Sequence, residues 1–408
     1  MASKASQVPS SLENLPSEIR RHILSMVDID SLKTLVQASP VYFHQYRRDR
    51  KLLLCQSLES TLGSVTADAY AVHKSSSMEF STKCTTEEVD DFLPFYHTIR
   101  SQAWSSPLYK VLSMEEVTSM VKFHRLTVQP LMQFFVTQAL SNLIKETKGS
   151  QIEETLSSTE ETRLMRAFYR YQLCCNIYGP GMGVEMHHET WNPIFDRISK
   201  DFLCIFCPWE AEEISCISFF SKTKHTQFLE NVNRGVDEEK PQFDFDLNHT
   251  DNHNGVIKTP ISRCLEMLHF ICFKIKDRGH LVTRTQDSTI WFLGNFLVDS
   301  HYAFNRRSKW HQHCDQPGER DHGQRCLEPI TFQGDKQPNG CCTLPPLAWT
   351  MECGGTDSDI FWMYLPSAFR QWGWVMWDAA RFKRMGAEKV MIQQWNEGYP
   401  FNPEHYHF

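Results

Sequence analysis

The chain has 408 residues, 22% of them charged and 41% hydrophobic, an ordinary balance for a globular protein with room for two or three domains. Its net charge of −7 argues against a general nucleic-acid binder, and no apolar run approaches the roughly 20 residues that a membrane span needs. Met1–Ser10 is polar and lacks an apolar secretion core, so the 14 cysteines are expected to be mostly reduced thiols, in the cytoplasm or nucleus.

Met1–Ser11 reads as a flexible leader. Leu15, Ile19, Ile23 and Val27 then recur every four residues and predict one face of a helix, with Pro16 in its first turn. Asp30 suits the cap of a second helix carrying Leu32, Leu35 and Val36. Ser39-Pro40 is a cap followed by a first-turn proline, opening a third helix through Tyr42, Phe43 and Tyr46. Together with Leu24, these apolar positions exceed what three short helices can cover among themselves, so the lobe leans on the rest of the chain or on a partner. Arg47-Arg48-Asp49-Arg50-Lys51 reads as a solvated helix face, with an import signal or a contact to an acidic partner as the functional alternative. Gly63–Thr86 is rich in Ser and Thr and reads as a linker.

Helix signals recur beyond it. Ser113–Glu116 has capping-box spacing before Val117, Met120, Val121 and Leu126. Pro130 breaks or kinks that helix, and Leu131–Ile144 resumes it. After a polar stretch, Ser158–Glu161 offers a second capping box for a helix with Leu164, Phe168, Tyr171, Cys175 and Tyr178 on one stripe, ending at Gly179. Asn192-Pro193 starts a helix with Ile194, Ile198 and Phe202 inward. Pro208 starts another, with Glu210, Glu212 and Glu213 placed where the helix dipole favours anions, and with Ile214, Ile217 and Phe220 inward. Asn233–Lys258 reads as a long loop, and Thr259-Pro260 begins a helix with Ile261, Leu265, Leu268, Cys272 and Ile275. Asn305–Ser358 lacks periodicity and reads as a mobile insertion. Ser367–Met385 reads as a final aromatic helix closed by Gly386. Trp372, Trp374 and Trp377 cannot share one face of it, so either both faces are buried or one tryptophan is a contact for a substrate.

No catalytic constellation, cofactor or metal site is assigned. Cys204-x-x-Cys207 encloses bulky apolar residues and lacks a second pair, so core cysteines are the expected reading. His311, His313, Cys314, His322 and Cys326 are the right residue types for zinc, but their spacing matches no known finger, and Cys341-Cys342 are too close to serve one tetrahedral ion. Gly179-Pro180-Gly181-Met182-Gly183 follows a helix and has no lysine for phosphate, and His187-His188-Glu189 lacks the i, i+4 histidine pair of a zincin.

The run Leu15-Pro16-x-Glu18-Ile19-x-x-x-Ile23-Leu24, then Leu32-x-x-Leu35-x-x-Ala38-Ser39-Pro40 and Tyr42-Phe43, resembles an F-box. It covers about a tenth of the chain, with Tyr42-Phe43 near the usual tryptophan and Ala38 at the usual valine. Glu160–Gly179, Leu203–Ser218 with its Pro-Trp-Glu-x-Glu-Glu-Ile, and Phe369–Met385 look similar to the helical region of a large fungal F-box group.

The resemblance implies an all-α fold with the F-box at Leu12–Leu58 and a helical domain at Glu59–Phe304. The loop-rich insertion Asn305–Ser358 follows, then a C-terminal helical segment of the same domain, Asp359–Phe408. It implies a non-catalytic substrate-recognition subunit of an SCF-type ubiquitin ligase. Such a subunit bridges a Skp-type adaptor, and through it a cullin, to a protein substrate, with no nucleic acid or membrane partner. The implied adaptor-binding residues are Leu15, Pro16, Ile19, Ile23, Leu24, Leu32, Leu35, Val36 and Phe43. The alternatives are a cullin-independent adaptor-binding scaffold or a helical interaction protein.

Overall fold

The computed structural model describes residues 12–76, 86–101, 106–147, 155–178, 198–236, 264–274, 331–335, 344–352 and 365–398. Every element there is helical, as the all-α expectation requires, and no helix among these residues is long and apolar enough to cross a membrane.

The N-terminal lobe is built from α1 (Ser17–Met26), α2 (Ile29–Ala38), α3 (Pro40–Arg48) and α4 (Arg50–Leu62). Ser39 and Pro40 start α3 as expected, with the Tyr42 amide donating to Ser39 Oγ. The cap of α2 is Asp28 rather than Asp30: its extended backbone lets Oδ1 accept from the Ser31 amide at 2.8 Å. Asp30 lies inside the first turn instead. α4 buries Leu53, Leu54, Cys55, Leu58 and Leu62 and carries the lobe's core without interruption into the rest of the protein.

A tight turn at Gly63 leads directly into α5 (Thr66–Ser75), so the expected linker is in part a buried helix. Its polarity misleads because its interior positions are small: Ala67, Ala69 and Ala71 let its backbone approach a neighbour closely. α6 (Thr86–Ser101), not expected from the sequence, carries Val89, Leu93 and Tyr96 inward. The short α7 (Leu108–Val111) precedes α8 (Met114–Phe123), where the Ser113–Glu116 capping box is present in both directions. Leu126, expected inward, is exposed. It lies in a π-turn, His124–Val128, where the Gln129 amide donates to His124 O. That wide turn absorbs the missing amide of Pro130, so the chain continues as α9 (Gln129–Thr147).

The centre of the protein is α10 (Ser158–Tyr178), in which every side chain from Arg163 to Tyr178 is buried. α5, α9, α11 (Pro208–Val236) and α12 (Cys264–Phe273) surround it. Its capping box is Ser157 with Glu160, one residue earlier than expected, with reciprocal bonds of 3.0 and 3.2 Å. α11 begins at Pro208 as predicted and buries Ile214, Ile217 and Phe220. Its last turn, to Val236, takes the first residues of the expected loop. Ile198, Phe202, Leu265 and Leu268 are buried, whereas Ile194 and the starts expected at Asn192 and Thr259 lie outside the described residues.

The expected insertion contains α13 (Leu347–Glu352), whose Trp349 is buried and stacks on Trp374 at 5.8 Å. The final helix is not continuous. It divides into α14 (Ser367–Gln371), a turn at Gly373 and α15 (Ala379–Arg384), and after Gly386 comes an unforeseen α16 (Ala387–Gly398). Gly373 has φ +65°, which no side chain adopts readily, and an added Cβ would meet Phe135 Cζ at 3.0 Å.

Candidate docking surface

α1 presents two faces. Leu24 is fully buried, and Ser57 of α4 donates to its carbonyl at 3.4 Å. Ile19, Ile23 and Met26 fall at i, i+4 and i+7, and at about 100° per residue they point roughly 100–160° away from Leu24. Ile19 is 46% and Met26 66% exposed, with Ile23 half-buried between them. The helix is therefore apolar on a side that the protein does not cover.

The preceding segment and α3 carry further exposed apolar residues. Arg20 Nη1 donates to the carbonyls of Glu13 (2.9 Å) and Leu15 (2.5 Å) and holds the segment against α1. Tyr42 Oη donates to Leu12 O at 3.3 Å, and Ser39 Oγ donates to the Glu13 carboxylate, which holds the same segment against α3. Phe43 lies four residues after Ser39 and so shares that face of α3. Its ring is 41% exposed, Leu12 is 51% exposed, and the Arg47 guanidinium lies 5.9 Å from the Phe43 centroid.

Polar contacts fix the frame. Arg21 Nε and Gln45 Nε2 both donate to Asp49 Oδ2, at 2.8 and 2.6 Å, tying α1 to the α3–α4 junction. Asp30 accepts from Arg125 Nε at 3.0 Å and Gln129 Nε2 at 2.8 Å, joining α2 to the π-turn and the start of α9. The Ser31 amide holds the Asp28 carboxyl below its ordinary range. Burial pushes the Cys55 thiol up to about 11, so it behaves as an inert core residue.

The nine residues singled out in the sequence separate by exposure. Pro16, Ile19 and Phe43 are exposed, and Leu15, Ile23, Leu35 and Val36 are half-buried. Leu24 and Leu32 are buried in the lobe core. Leu12 and Met26 are exposed apolar residues of the lobe outside the motif; Met26 is signalled by its helical register with Ile19 and Ile23, and Leu12, in the turn before α1, by no register.

The remaining candidates fall away as sites. Trp372, Trp374 and Trp377 are all buried, and each indole N–H has an acceptor: Gln394 Oε1, Glu212 Oε1 and Trp372 O, at 2.9, 3.2 and 2.7 Å. None is available as a substrate contact. Cys204 and Cys207 are half-buried rather than interior cysteines. Among the described residues no group of three or more His, Cys, Asp or Glu is placed to hold a metal. The His311–Cys326 cluster, Cys341-Cys342, the Gly179–Gly183 run and His187-His188-Glu189 lie outside the described residues.

A dense charged cluster in the interior was not foreseen. Among the described residues, Arg100, Arg163, Arg166, Arg170, Arg370 and Arg381 meet Asp68, Glu160, Glu210, Glu212, Glu213 and Asp335, six charges of each sign. The glutamates read as favourable to the helix dipole instead turn inward toward arginines of α6, α10 and α14. The carboxylates keep Arg166 and Arg170 firmly protonated. Strongly perturbed groups often mark active sites, but this cluster is charge-balanced and mostly buried, with Arg100 and Asp335 partly exposed at its margin, which makes it a structural network.

No family model matches the chain, and no curated protein and no solved structure matches it.

Proposed function

We propose that this chain is the substrate-recognition subunit, an F-box protein, of an SCF-type E3 ubiquitin ligase, bridging a Skp-type adaptor and a protein substrate. The observation that carries this reading is the set of uncovered apolar residues on the N-terminal lobe, Leu12 in the entering segment, Ile19 and Met26 on α1 and Phe43 on α3, within and beside the F-box-like run. A patch of this kind on a rigid lobe is what a helical docking partner requires. In this role the chain performs no chemistry. It raises the effective concentration of substrate beside a conjugating enzyme held elsewhere. The Asp30 contacts to Arg125 and Gln129 support such a task, because they fix the direction of the lobe relative to the helices behind it.

The test uses the full chain, since α4 joins the lobe's core to the rest and a truncation would open it. Tagged protein is incubated with purified Skp-type adaptor, alone and with cullin. Wild type captures both, and the Ile19→Asp/Phe43→Asp variant captures neither. Capture by the variant at wild-type level would remove the reading. Adaptor capture without cullin would support the scaffold alternative.

A further inference from the structure

The lobe that bears the docking surface carries an unbalanced charge. Residues 12–51 contain seven Lys or Arg against five Asp or Glu, a positive surplus in a chain whose net charge is −7. The lobe's acids are engaged within the protein: Glu13 by Ser39, Glu18 by Ser17, Asp28 by Ser31, Asp30 by Arg125 and Gln129, and Asp49 by Arg21 and Gln45. Arg47, Arg48, Arg50 and Lys51 are all exposed, and none meets a carboxylate among the described residues. Arg47 ties this cationic run to the exposed apolar residues, because its guanidinium lies over the Phe43 ring, and Arg48, Arg50 and Lys51 follow it in sequence.

We infer that the partner seated on this lobe presents an acidic protein surface beside its apolar groove, and that Arg47, Arg48, Arg50 and Lys51 steer it into place. The inference rests on the docking reading above. Charge complementarity at a rim acts mainly on the rate of encounter, whereas the apolar anchors set how long the complex lasts. A continuous anionic surface, whether bilayer or nucleic acid, fits less well. Glu18 stands exposed beside Ile19 and would face like charge there.

The experiment measures association of the full chain with purified Skp-type adaptor as ionic strength rises. From about 0.1 M to about 1 M salt the Debye length falls from about 10 Å to about 3 Å, which screens the rim while sparing apolar contacts. The wild-type on-rate is expected to drop at least about tenfold across that range. In Arg47→Gln/Arg48→Gln/Arg50→Gln/Lys51→Gln it starts about tenfold lower and stays nearly flat, with an unchanged off-rate and melting temperature. An unchanged on-rate and salt response in the variant overturns the inference and leaves the docking reading standing. Absence of any adaptor binding by wild type overturns both. Vesicles rich in phosphatidylserine provide the second arm: rim-dependent vesicle binding, with adaptor kinetics unaffected by the variant, would assign the cations to a membrane and refute the inference.

Discussion

Arg166 of α10 and Glu213 of α11 face each other in the protein interior through a two-point contact, Nε to Oε2 at 2.6 Å and Nη2 to Oε1. Both side chains are almost fully buried, so each charge depends on the other for what water would have supplied. Glu213→Ala leaves the guanidinium with Glu210 alone and is expected to cost about 3–5 kcal/mol in denaturant unfolding. The paired replacement Arg166→Met/Glu213→Leu is expected to recover most of that loss, because it removes both desolvation penalties. A paired variant as unstable as Glu213→Ala would show that the contact itself is a large net stabiliser.

The two faces of α1 predict opposite phenotypes for neighbouring residues. Leu24→Ala empties a fully buried position and is expected to lower stability by about 2–5 kcal/mol. Ile19→Asp places a charge where the side chain is already half in water and should leave the melting temperature nearly unchanged. Adaptor capture should follow the reverse order, lost in Ile19→Asp and kept in Leu24→Ala below its melting temperature. Equal loss of stability in both variants would place Ile19 in the core.

Gly373 sets the path between α14 and α15, with φ +65° and Phe135 Cζ 3.0 Å from an added methyl. Gly373→Ala meets both a disfavoured backbone and a packed ring, and it should cost about 1–3 kcal/mol. Phe135→Leu in the same background should return part of the packing loss and none of the backbone strain. The comparison is read from the urea midpoints of the two variants and wild type.

Helices with one wet and one dry face are legible in this sequence, because their apolar residues repeat at helical spacing. α1 to α3 and α8 are of this kind, and Ser39 and Ser113 mark their starts. Interior helices are not legible in the same way. α5 is taken for a linker because its small and polar residues are selected by close packing, and α10 shows a stripe although all its sides are buried. Arg163, Arg166 and Arg170 share one helical face, and Pro208-Trp209-Glu210-x-Glu212-Glu213 supplies opposite charge, yet only the fold brings the two segments together. The same limit applies to the docking surface. The motif names the residues of the lobe, but whether Ile19 or Leu24 points outward depends on where α4 lies, some thirty residues further on. The tryptophans fail as contacts for a local reason: Gly373 breaks the helix on which their angular spacing was reckoned.

The pH response follows from two buried histidines. His124, in the π-turn, has Nδ1 3.1 Å from Tyr169 Oη and its ring stacked on the tyrosine, and burial lowers its pKa to about 4. His225 sits beside Ser221, with Nδ1 2.7 Å from the Ser221 carbonyl, and burial lowers it to about 4 as well. Both fall below the ordinary histidine value of about 6.5, so between those limits the unfolded chain binds more protons than the folded one. Stability therefore rises with pH through this window and is lost as pH falls from about 6.5 toward about 4. Each histidine contributes at most about 1.4 kcal/mol per pH unit there. His73 is also depressed, chiefly by burial, and adds a smaller part because it stands partly exposed beside Glu116. The Glu116 carboxyl, held at about 2 mainly by the Ser113 amide, begins to act only below its ordinary range near 4.5. The measurement is the urea midpoint from pH 7 to pH 4 for wild type and His124→Gln/His225→Gln, taking these as approximate limits of the histidine window. The variant should begin less stable at the upper limit, having lost the Tyr169 contact, and should then fall less steeply. Parallel curves for the two proteins would show that neither histidine is held neutral by the fold.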